Sequence, residues 1–489
     1  MEIISVILSS FTLWHLVSCF LGVLLGTLVG VLPGLGPMAA LSLLLPFSYS
    51  FLDPTSGIIF LAGIYYGTQY GGSTTSILLN LPGESSSVIT TIDGYKMTQN
   101  GDAGKALSIS AIGSFVAGTL TTFLILFLAV PVSKLAFIFG PAEYAMLMFV
   151  GLIVCSLLSR TGVLKSLSVI LIGILLGSVG ADVNSGLARF TFGFPELYDG
   201  ISFAIIAMAL FGMAEIIYNI FHTEKITVKI PAISKLYLSK KELKFCIPSV
   251  LRGTAVGSFL GILPGAGAVI ASFASYSLEK FVNKKNNLFG KGDIRGVAAP
   301  ESANNAAAQS SFIPTISLGL PGTPVMAIML GALLMHGIQP GPQMIIENQV
   351  LFYTLIMSML IGNIFLLILN LPLVGVWASV LKISWKFLYP MIIIICFIGA
   401  YHISNNWFNV YLLIPFVLLG YILKLLDFDP APLAIGFIIG PLFEEYLRRS
   451  LEISNGDWLI FFQRPISLGM FLVLSSIFVT YFLYKKRNQ

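Results

Sequence analysis

Two polar stretches interrupt a chain that is otherwise strongly apolar. On helices, the polar side chains of each stretch would share one face: Glu301, Asn304/Asn305 and Gln309 in the second stretch, and Tyr65/Tyr66, Gln69 and Ser73 in the first. Polar side chains at membrane depth are costly, and they normally face a cavity or a partner. The chemistry that they offer is the binding of an ion or a polar solute. For Glu301 a position at the membrane surface is the alternative, because the basic loop 280–295 ends a few residues earlier.

Each polar stretch runs into a Leu-Pro-Gly turn. The turns are residues 81–83 and 320–322, at an offset of 239 (320 − 81). Hydroxyl residues follow both turns, in the positions of helix-capping or ligand-donating groups: Ser85, Ser86 and Ser87 in the first half, and Thr323 in the second. Glu84 has no acidic counterpart at Thr323. It is a candidate to neutralise a cation or to carry a coupling proton.

A glycine-rich element precedes each polar stretch. Residues 22–36 and 253–267 place every glycine, the Leu-Pro-Gly and the final glycine in register at an offset of 231 (253 − 22). Glycines four apart form a helix face that another backbone can approach closely. Proline followed by glycine then breaks the helix inside an apolar region, where lipid cannot satisfy the freed backbone groups. The alternative is a packing seam that ends in a plain turn at the membrane surface.

A helix break in mid-membrane provides groups for both kinds of ion. C-terminal carbonyls can coordinate Na⁺, and N-terminal amides can hold a carboxylate. We therefore predict an organic-anion site built from Gly34, Gly36, Ser73, Thr74, Ser85, Ser86, Gly265, Gly267, Asn304, Asn305, Gly322 and Thr323. We predict that coupled cations, Na⁺ or H⁺, bind near Pro33, Gly72, Asn80, Pro264, Glu301 and Ser310. No cofactor and no metal other than Na⁺ is expected. The alternative for the Ser and Thr hydroxyls is a hydrogen bond to the backbone of their own helix.

Composition indicates an all-α polytopic membrane protein. Hydrophobic residues make up 56% of the chain and charged residues 10%, whereas soluble domains carry roughly 25% charged residues. The formal net charge of +5 lies in loops, so nucleic acid is not expected as a partner. Apolar segments are predicted at 3–31, 37–50, 57–80, 104–131, 141–159, 163–180, 200–221, 247–264, 268–279, 297–320, 322–336, 350–371, 386–402, 405–424, 431–443 and 465–484.

The predicted organisation is two structural repeats, 1–221 and 246–489, joined by the loop 222–245, with about 12 membrane segments. Segments 37–50, 268–279 and 322–336 are too short to span and are interpreted as half-helices or re-entrant hairpins. Lysine-rich loops flank the second glycine element, whereas the flanks of the first lack Lys and Arg. By the positive-inside rule this predicts inverted repeats, with parallel repeats as the alternative. When membrane crossings are counted in this way, Arg448 and Arg449 lie on the outer side of the membrane, which argues against inverted repeats.

The sequence resembles the large membrane subunit of the tripartite tricarboxylate transporters. The resemblance rests on Gly-Val-Leu-Pro-Gly-Leu-Gly-Pro-Met (30–38), the run 65–84 from Tyr-Tyr-Gly-Thr-Gln to Leu-Pro-Gly-Glu, Asp-Gly-Tyr-Lys-Met (93–97), Pro-Gly-Ala-Gly (264–267), Ala-Pro-Glu-Ser-Ala-Asn-Asn-Ala-Ala (299–307) and Leu-Gly-Leu-Pro-Gly-Thr-Pro (318–324). It implies a bacterial inner-membrane permease that works with a small membrane subunit and a periplasmic substrate-binding protein. It also implies uptake of citrate or another small carboxylate, driven by an ion gradient.

The expected mechanism is alternating access, in which the broken helices and turns move relative to segments 104–221 and 350–484. The alternative within transport is a cation-coupled carboxylate symporter that works without a binding protein. An intramembrane enzyme is the alternative from another class. It would need a nucleophile–base pair or a metal cluster, and only Glu84, Asp93 and Glu301 are acids near the repeats. His15 and Cys19 share a helix face but lack a third ligand, so no enzyme is expected.

Overall fold

The chain folds almost entirely into helices in a computed structural model. The structure describes residues 11–159, 161–182, 185–222, 233, 236–263, 265, 267–284, 288–383 and 385–487. Pro264 and half of the loop 222–245 lie outside the described residues. The predicted segments 37–50, 268–279 and 322–336 correspond to helices of 16, 16 and 12 residues.

In chain order the helices are α1 (Leu13–Val31), α2 (Gly36–Phe51), α3 (Pro54–Leu79), α4 (Thr90–Gln99), α5 (Ala103–Ala136), α6 (Pro141–Leu158), α7 (Val163–Gly177), α8 (Phe203–Ala207), α9 (Ala214–His222), α10 (Lys240–Ile262), α11 (Gly267–Val282), α12 (Arg295–Ser310), α13 (Phe312–Leu318), α14 (Pro324–Met335), α15 (Pro342–Glu347), α16 (Gln349–Asn370), α17 (Val374–Val380), α18 (Trp385–Ser404), α19 (Trp407–Leu425), α20 (Ala431–Ile453), α21 (Ile460–Gln463) and α22 (Pro465–Arg487). Short 3₁₀ turns occupy Ser85–Val88 and Pro195–Leu197, and a π-helical segment, Met208–Met213, joins α8 to α9. Strands β1 (Gly180–Ala181) and β2 (Ala188–Arg189) pair antiparallel.

Seven helices are long and apolar enough to cross a membrane among the residues that the structure describes. They include α1, α5, α10 and α16, and the predicted all-α, multi-pass membrane class is confirmed on this basis. The predicted number of about 12 segments and the inversion of the repeats stay predictions. Helix α4 was not predicted, because its ten residues are largely polar and carry no membrane-spanning run.

The chain packs into two compact units. One contains residues 1–130 and 204–422, and the other contains 131–203 and 423–489. Each half of the chain therefore contributes to both units, so the predicted division into 1–221, 222–245 and 246–489 describes sequence repeats rather than packing units. That division stays a prediction.

Glycine seams hold the first unit together. A Cβ added at Gly22, Gly26 or Gly30 of α1 would lie closer than 3.0 Å to the backbone of Phe60, Ile64 or Thr68 on α3. The second half repeats this arrangement: Gly253, Gly257 and Gly261 of α10 lie against the backbone of Ala299, Ala303 and Ala307 on α12. The glycines are offset by 231 and their partners by 239, which are the offsets of the sequence motifs. The packing-seam interpretation of the glycines is therefore correct, and the helix breaks follow at the end of each seam.

Helices α3 and α12 occupy the interior of this unit. Every residue of α3 from Ser56 to Leu78 is buried, and so is every residue of α12. A helix buried on all sides can carry small and polar residues, because neighbouring helices rather than lipid surround it. The two polar stretches found in the sequence are therefore internal helices around which apolar helices pack.

The second unit contains α6, α7, α20 and α22. Here a glycine seam again brings helices together, since a Cβ at Gly436 of α20 would meet the backbone of Ile170 on α7. Arg448 pairs with Glu444 and Asp182, and Arg449 pairs with Glu445 at 2.6 Å. These two arginines are therefore charge-compensated within the unit, but the positive-inside rule counts Lys and Arg whatever acids pair with them, so the predicted orientation stays a prediction.

Candidate functional site

The two predicted helix breaks have the same backbone geometry. Helix α1 ends at Val31 and α2 begins at Gly36, while α10 ends at Ile262 and α11 begins at Gly267, again at an offset of 231. Gly34 and Gly36 have φ of 86° and 61°, and Gly265 and Gly267 have φ of 79° and 53°. Only glycine adopts this left-handed conformation readily, so the sequence requires both breaks to form where they do.

The two Leu-Pro-Gly turns are also matched. Asn80 ends α3 and Gly319 ends α13, with φ of 60° and 69°. Glu84 precedes the 3₁₀ turn and Thr323 precedes α14, both with extended backbone at φ −145° and −143°. Both pairs are offset by 239. The structure thus supports the duplication at the level of individual backbone angles.

Each break lies against its own turn. In the first half, a Cβ at Gly36 would lie 3.8 Å from the Gly83 carbonyl oxygen and 4.0 Å from the Glu84 Cβ. In the second half, the Gly265 N–H donates to the Gly322 carbonyl at 2.7 Å. A Cβ at Gly267 would lie 3.0 Å from the Thr323 methyl group. The N-termini of α2 and α11 therefore each face the segment that follows a Leu-Pro-Gly turn.

Glu84 joins the two halves. Its carboxylate accepts hydrogen bonds from the Asn304 side-chain amide at 3.0 Å and from the Ser86 hydroxyl at 2.5 Å. The Gln69 side chain also contacts this carboxylate. Gly72 makes room for it, since a Cβ there would lie 3.1 Å from the Glu84 Cγ. Glu84 remains partly exposed, whereas Gln69 and Asn304 are buried.

Glu301 lies one helical turn before Asn304 and is 1% exposed. Its carboxylate accepts hydrogen bonds from Ser73 of α3, Thr90 of α4 and Ser110 of α5, the last at 3.2 Å. The alternative of a surface position is therefore wrong. All three partners are neutral hydroxyls, and Glu84 is near enough to repel this carboxylate electrostatically. Two acidic groups thus share the junction of the halves.

An aromatic cluster lies beside the junction. Tyr65, Tyr66 and Phe312 have ring centroids 5.9–6.3 Å apart. The Tyr65 side chain interacts with Ser311 and Thr323. This brings the second Leu-Pro-Gly turn next to the first polar helix. Both breaks therefore belong to one connected region of the first unit, which is the arrangement that a shared binding site requires.

Other polar side chains of α12 serve packing. Asn305 donates to the Ser114 hydroxyl at 2.7 Å. Gln309 accepts from Thr122 at 2.6 Å and donates to Asn363 at 3.2 Å. These contacts fix α12 against α5 and α16. They leave Asn305 satisfied by the scaffold, although the sequence assigned it to the substrate.

Several predicted site residues lie away from the junction. Asn80 is exposed at the end of α3, and Ser85 is exposed in the 3₁₀ turn. Ser310 lies in the seam between α10 and α12, with its hydroxyl 3.4 Å from the Ala307 carbonyl. Thr74 donates back to the Tyr70 carbonyl at 3.5 Å, as buried helical threonines commonly do. Pro33 is half-buried beside the first break, and Pro264 lies outside the described residues.

The structure adds Thr90 and Ser110 to the site and shows the partners of Gln69 and Glu84. Glu84 and Gln69 carried a sequence signal, since one follows Leu-Pro-Gly directly and the other lies on the polar face of α3. Thr90 and Ser110 carried none, because tertiary packing alone brings α4 and α5 to Glu301. Asp93, one turn after Thr90, is also newly placed: it accepts backbone hydrogen bonds from Gly290, Gly292 and Asp293 at 2.8–3.0 Å.

The described residues contain no group of three His, Cys, Asp or Glu side chains that could hold a metal ion. The suspected pair is occupied separately, because His15 accepts from the Thr12 backbone while the Cys19 thiol donates to the Ser358 carbonyl at 3.3 Å. The arrangement of helix termini, amides and two carboxylates suits ion and solute binding.

Comparison with known proteins agrees with this geometry. Residues 16–435 match the Tripartite tricarboxylate transporter TctA family. The "Uncharacterized 52.8 kDa protein in TAR-I ttuC' 3'region" of Agrobacterium vitis is 49% identical over 459 residues, which cover 94% of this chain and 91% of the relative. The "Uncharacterized protein in TAR-II ttuC' 3'region" of the same organism is 51% identical over 236 residues, covering 48% of this chain and 98% of that relative. No solved structure matches the chain significantly. The chain is therefore a member of the tripartite tricarboxylate transporter TctA family, a transport protein and not an enzyme.

Proposed function

We propose that this chain is the membrane subunit that carries a tricarboxylate or another small organic carboxylate across the membrane. The observation that supports this most directly is that each helix break packs against its own Leu-Pro-Gly turn. Tyr65, which interacts with both Thr323 and Glu84, links the two pairs, and Glu84 binds Asn304 of the other half. We take this junction as the substrate site.

Carboxylate groups are best accommodated at the N-termini of the half-helices. Helix α2 begins at Gly36 and α11 begins at Gly267, and their first amides lack intrahelical partners. The partial positive charge at a helix N-terminus favours an anion there. Gly36 and Gly267 have no side chain, so a ligand can approach these amides closely. We therefore place the substrate carboxylates at these two termini.

The two acidic side chains support cation coupling. Glu84 and Glu301 lie close together, and hydroxyls and amides are the partners described for them. A carboxylate substrate would add further negative charge to this region. Burying like charges together is unfavourable without compensation. We infer that Na⁺ or H⁺ enters with the substrate and neutralises one or both acids.

A cation gradient is sufficient to drive uptake. The membrane potential contributes about 2.3 kcal/mol per elementary charge per 100 mV. Two net positive charges entering with the substrate would thus support more than about a hundredfold accumulation, since each 1.4 kcal/mol is a factor of ten. We propose alternating access, in which the broken helices present the site to each side of the membrane in turn.

The family implies the partners and the location. TctA proteins are components of tripartite transporters, so we propose that a small membrane subunit and a periplasmic binding protein work with this chain in a bacterial inner membrane. We also propose that the halves are inverted relative to each other in the bilayer. The basic loop 280–295 beside α11, compared with the Asp53 flank of α2, supports this orientation.

Reconstitution tests the proposal. The chain is placed in liposomes with its small membrane subunit, and uptake of labelled citrate and other small carboxylates is measured with and without the binding protein. We expect accumulation that requires the binding protein and an inward Na⁺ or H⁺ gradient. Accumulation without the binding protein would favour a stand-alone symporter. The absence of both uptake and exchange for every carboxylate would overturn the proposal.

A further inference from the structure

We propose that Gln69, Glu84 and Asn304 form a binding site for a dehydrated monovalent cation, with Na⁺ as the ion that fits. The inference rests on the proposed transport function and specifies where its coupling ion binds. The sequence-based assignment put cations near Pro33, Gly72, Asn80, Pro264, Glu301 and Ser310 and named Glu84 as a candidate to neutralise one. The present site keeps Glu84 and adds Gln69 and Asn304 as its partners.

Two buried amide side chains flank the Glu84 carboxylate. Gln69 is 2% exposed and Asn304 is 1% exposed, and neither Gln69 Oε1 nor Asn304 Oδ1 has a hydrogen-bond partner in the part of the chain that the structure describes. Both amides contact the carboxylate, Asn304 through its Nδ2 at 3.0 Å. An unsatisfied buried acceptor is costly, so such an atom calls for a ligand.

The chemistry of these groups selects the ion. A carboxylate and two amide carbonyl oxygens are hard ligands, which suit cations such as Na⁺ and not soft transition metals. The group supplies one negative charge, which matches a monovalent ion. Glu301, the other acid nearby, is engaged by the hydroxyls of Ser73, Thr90 and Ser110. Glu301 is therefore less free than Glu84 to balance the second charge of a divalent cation.

The position of Gln69, Glu84 and Asn304 allows a cation to enter and allows a bound cation to affect the neighbouring helices. Glu84 is partly exposed while both amides are buried, so an ion can enter from the side of the carboxylate. Gln69 lies on α3 of the first half and Asn304 on α12 of the second, so a bound ion would draw the two helices together. The N-terminus of α2 lies beside Glu84 at Gly36. A cation here would thus reduce the repulsion felt by a carboxylate at that terminus.

Cation binding by the purified full chain tests the inference. Thermal unfolding in detergent is followed while NaCl replaces choline chloride at constant ionic strength, and KCl serves as the comparison salt. We expect a saturable rise in Tm with Na⁺ that K⁺ and choline do not reproduce. Glu84→Gln, Gln69→Ala and Asn304→Ala should each weaken the apparent Na⁺ affinity at least tenfold. A wild-type chain without a saturable Na⁺ effect would overturn the site.

Asn370→Ala is the matched control. Asn370 is also buried, and its Oδ1 also lacks a partner among the described residues, but it lies on α16. This variant should retain the wild-type Na⁺ affinity, and an equal loss in Asn370→Ala would overturn the assignment. Glu84→Gln preserves the shape of the side chain, so it tests the site even if an alanine variant does not fold.

Substrate counterflow separates this inference from the transport function. Exchange of labelled for unlabelled carboxylate across liposomes needs no ion gradient. Active exchange by a chain that does not respond to Na⁺ would reject the cation site and leave the function standing. Retained Na⁺ binding without exchange of any carboxylate would reject the function and leave the cation site standing.

Discussion

The backbone N–H of Gly265 donates a hydrogen bond of 2.7 Å to the carbonyl oxygen of Gly322. This contact ties the second helix break directly to the second Leu-Pro-Gly turn. In the first half the turn is followed by Glu84, whereas Thr323 caps α14 at the equivalent position by accepting from the Met326 N–H at 3.1 Å. The duplicated scaffold therefore carries an acid on one side and a neutral cap on the other. We propose that this asymmetry lets one half hold a cation while both halves hold carboxylates.

We predict that Gly34→Leu and Gly265→Leu each abolish uptake while the protein stays in the membrane. Both positions have left-handed backbone, where a side chain costs roughly 1–2 kcal/mol. The nearest atom to a Cβ at Gly34 is 3.9 Å away, so the fold has room for it. The expected defect is therefore a distorted break rather than loss of folding. Uptake and membrane content are measured together.

Gly101→Leu is the control for these substitutions. Gly101 has the same φ of 86° as Gly34 and no atom within 4 Å of an added Cβ, but it lies between α4 and α5. It should carry the same backbone strain and retain uptake. Normal uptake by both Gly34→Leu and Gly265→Leu would contradict the assignment of the breaks to the site.

We predict that Gly26→Ala and Gly257→Ala destabilise the protein, because each added Cβ would meet a neighbouring backbone at under 3.0 Å. Overpacking of this kind typically costs about 1–3 kcal/mol. Gly151→Ala in α6 has nothing within 4 Å and should be neutral or slightly stabilising, since alanine favours helix by up to about 1 kcal/mol. Thermal unfolding in detergent measures all three. A Tm for Gly26→Ala equal to that of Gly151→Ala would show that the seam tolerates separation.

The positions of the helix breaks could be predicted from the sequence because their causes are local. Proline removes a donor and glycine adopts positive φ, so Gly34 and Gly265 could be assigned without tertiary information. The matching offsets of 231 and 239 then carried over to helix ends and seam contacts. The long-range partners of Glu301 could not be predicted in this way. Thr90 and Ser110 are ordinary hydroxyl residues until packing brings α4 and α5 to α12.

Where a predicted site residue has a local structural explanation, the cause is similar, and its assignment stays a prediction. Asn80 and Ser310 were assigned to cations because they adjoin the motifs, yet a helix terminus and a packing seam account for them. Asn305 and Asn304 are neighbours in sequence, but they point to different partners, Ser114 and Glu84. Sequence spacing gives a face of a helix, and only the structure shows which part of that face is satisfied by the scaffold.

We predict that Glu301→Gln loses carboxylate accumulation at least tenfold but retains counterflow. The amide keeps the size of the side chain, and the hydroxyls of Ser73, Thr90 and Ser110 can rotate to meet it. Glu301 places a negative charge near the proposed cation site at Glu84, so its removal should weaken cation binding there while exchange continues without coupling. Ser110→Ala, which removes one hydrogen bond of 3.2 Å, should retain most accumulation. Undiminished accumulation by Glu301→Gln would exclude this carboxylate from coupling.

Asp93 offers a graded test of the contact between the two halves. Its carboxylate accepts three backbone hydrogen bonds from residues 290–293 and one from the Tyr276 hydroxyl at 2.8 Å. Asp93→Ala leaves these buried donors unsatisfied, and we expect a loss of at least about 3 kcal/mol in unfolding free energy. Asp93→Asn preserves the acceptor for the three amides and should cost less, since only the charge assistance is lost. Tyr276→Phe removes a single bond worth about 1 kcal/mol.

Thermal unfolding should therefore rank the variants with Asp93→Ala lowest, Asp93→Asn above it and Tyr276→Phe closest to wild type. Thr90 lies one turn before Asp93 on α4 and donates to Glu301, so release of α4 from residues 290–293 also withdraws a hydroxyl from that carboxylate. Transport should fall in the same order as stability. Equal stability of Asp93→Ala and Tyr276→Phe would mean that the backbone amides find other acceptors, and the carboxylate would then not be what holds α4 against the second half.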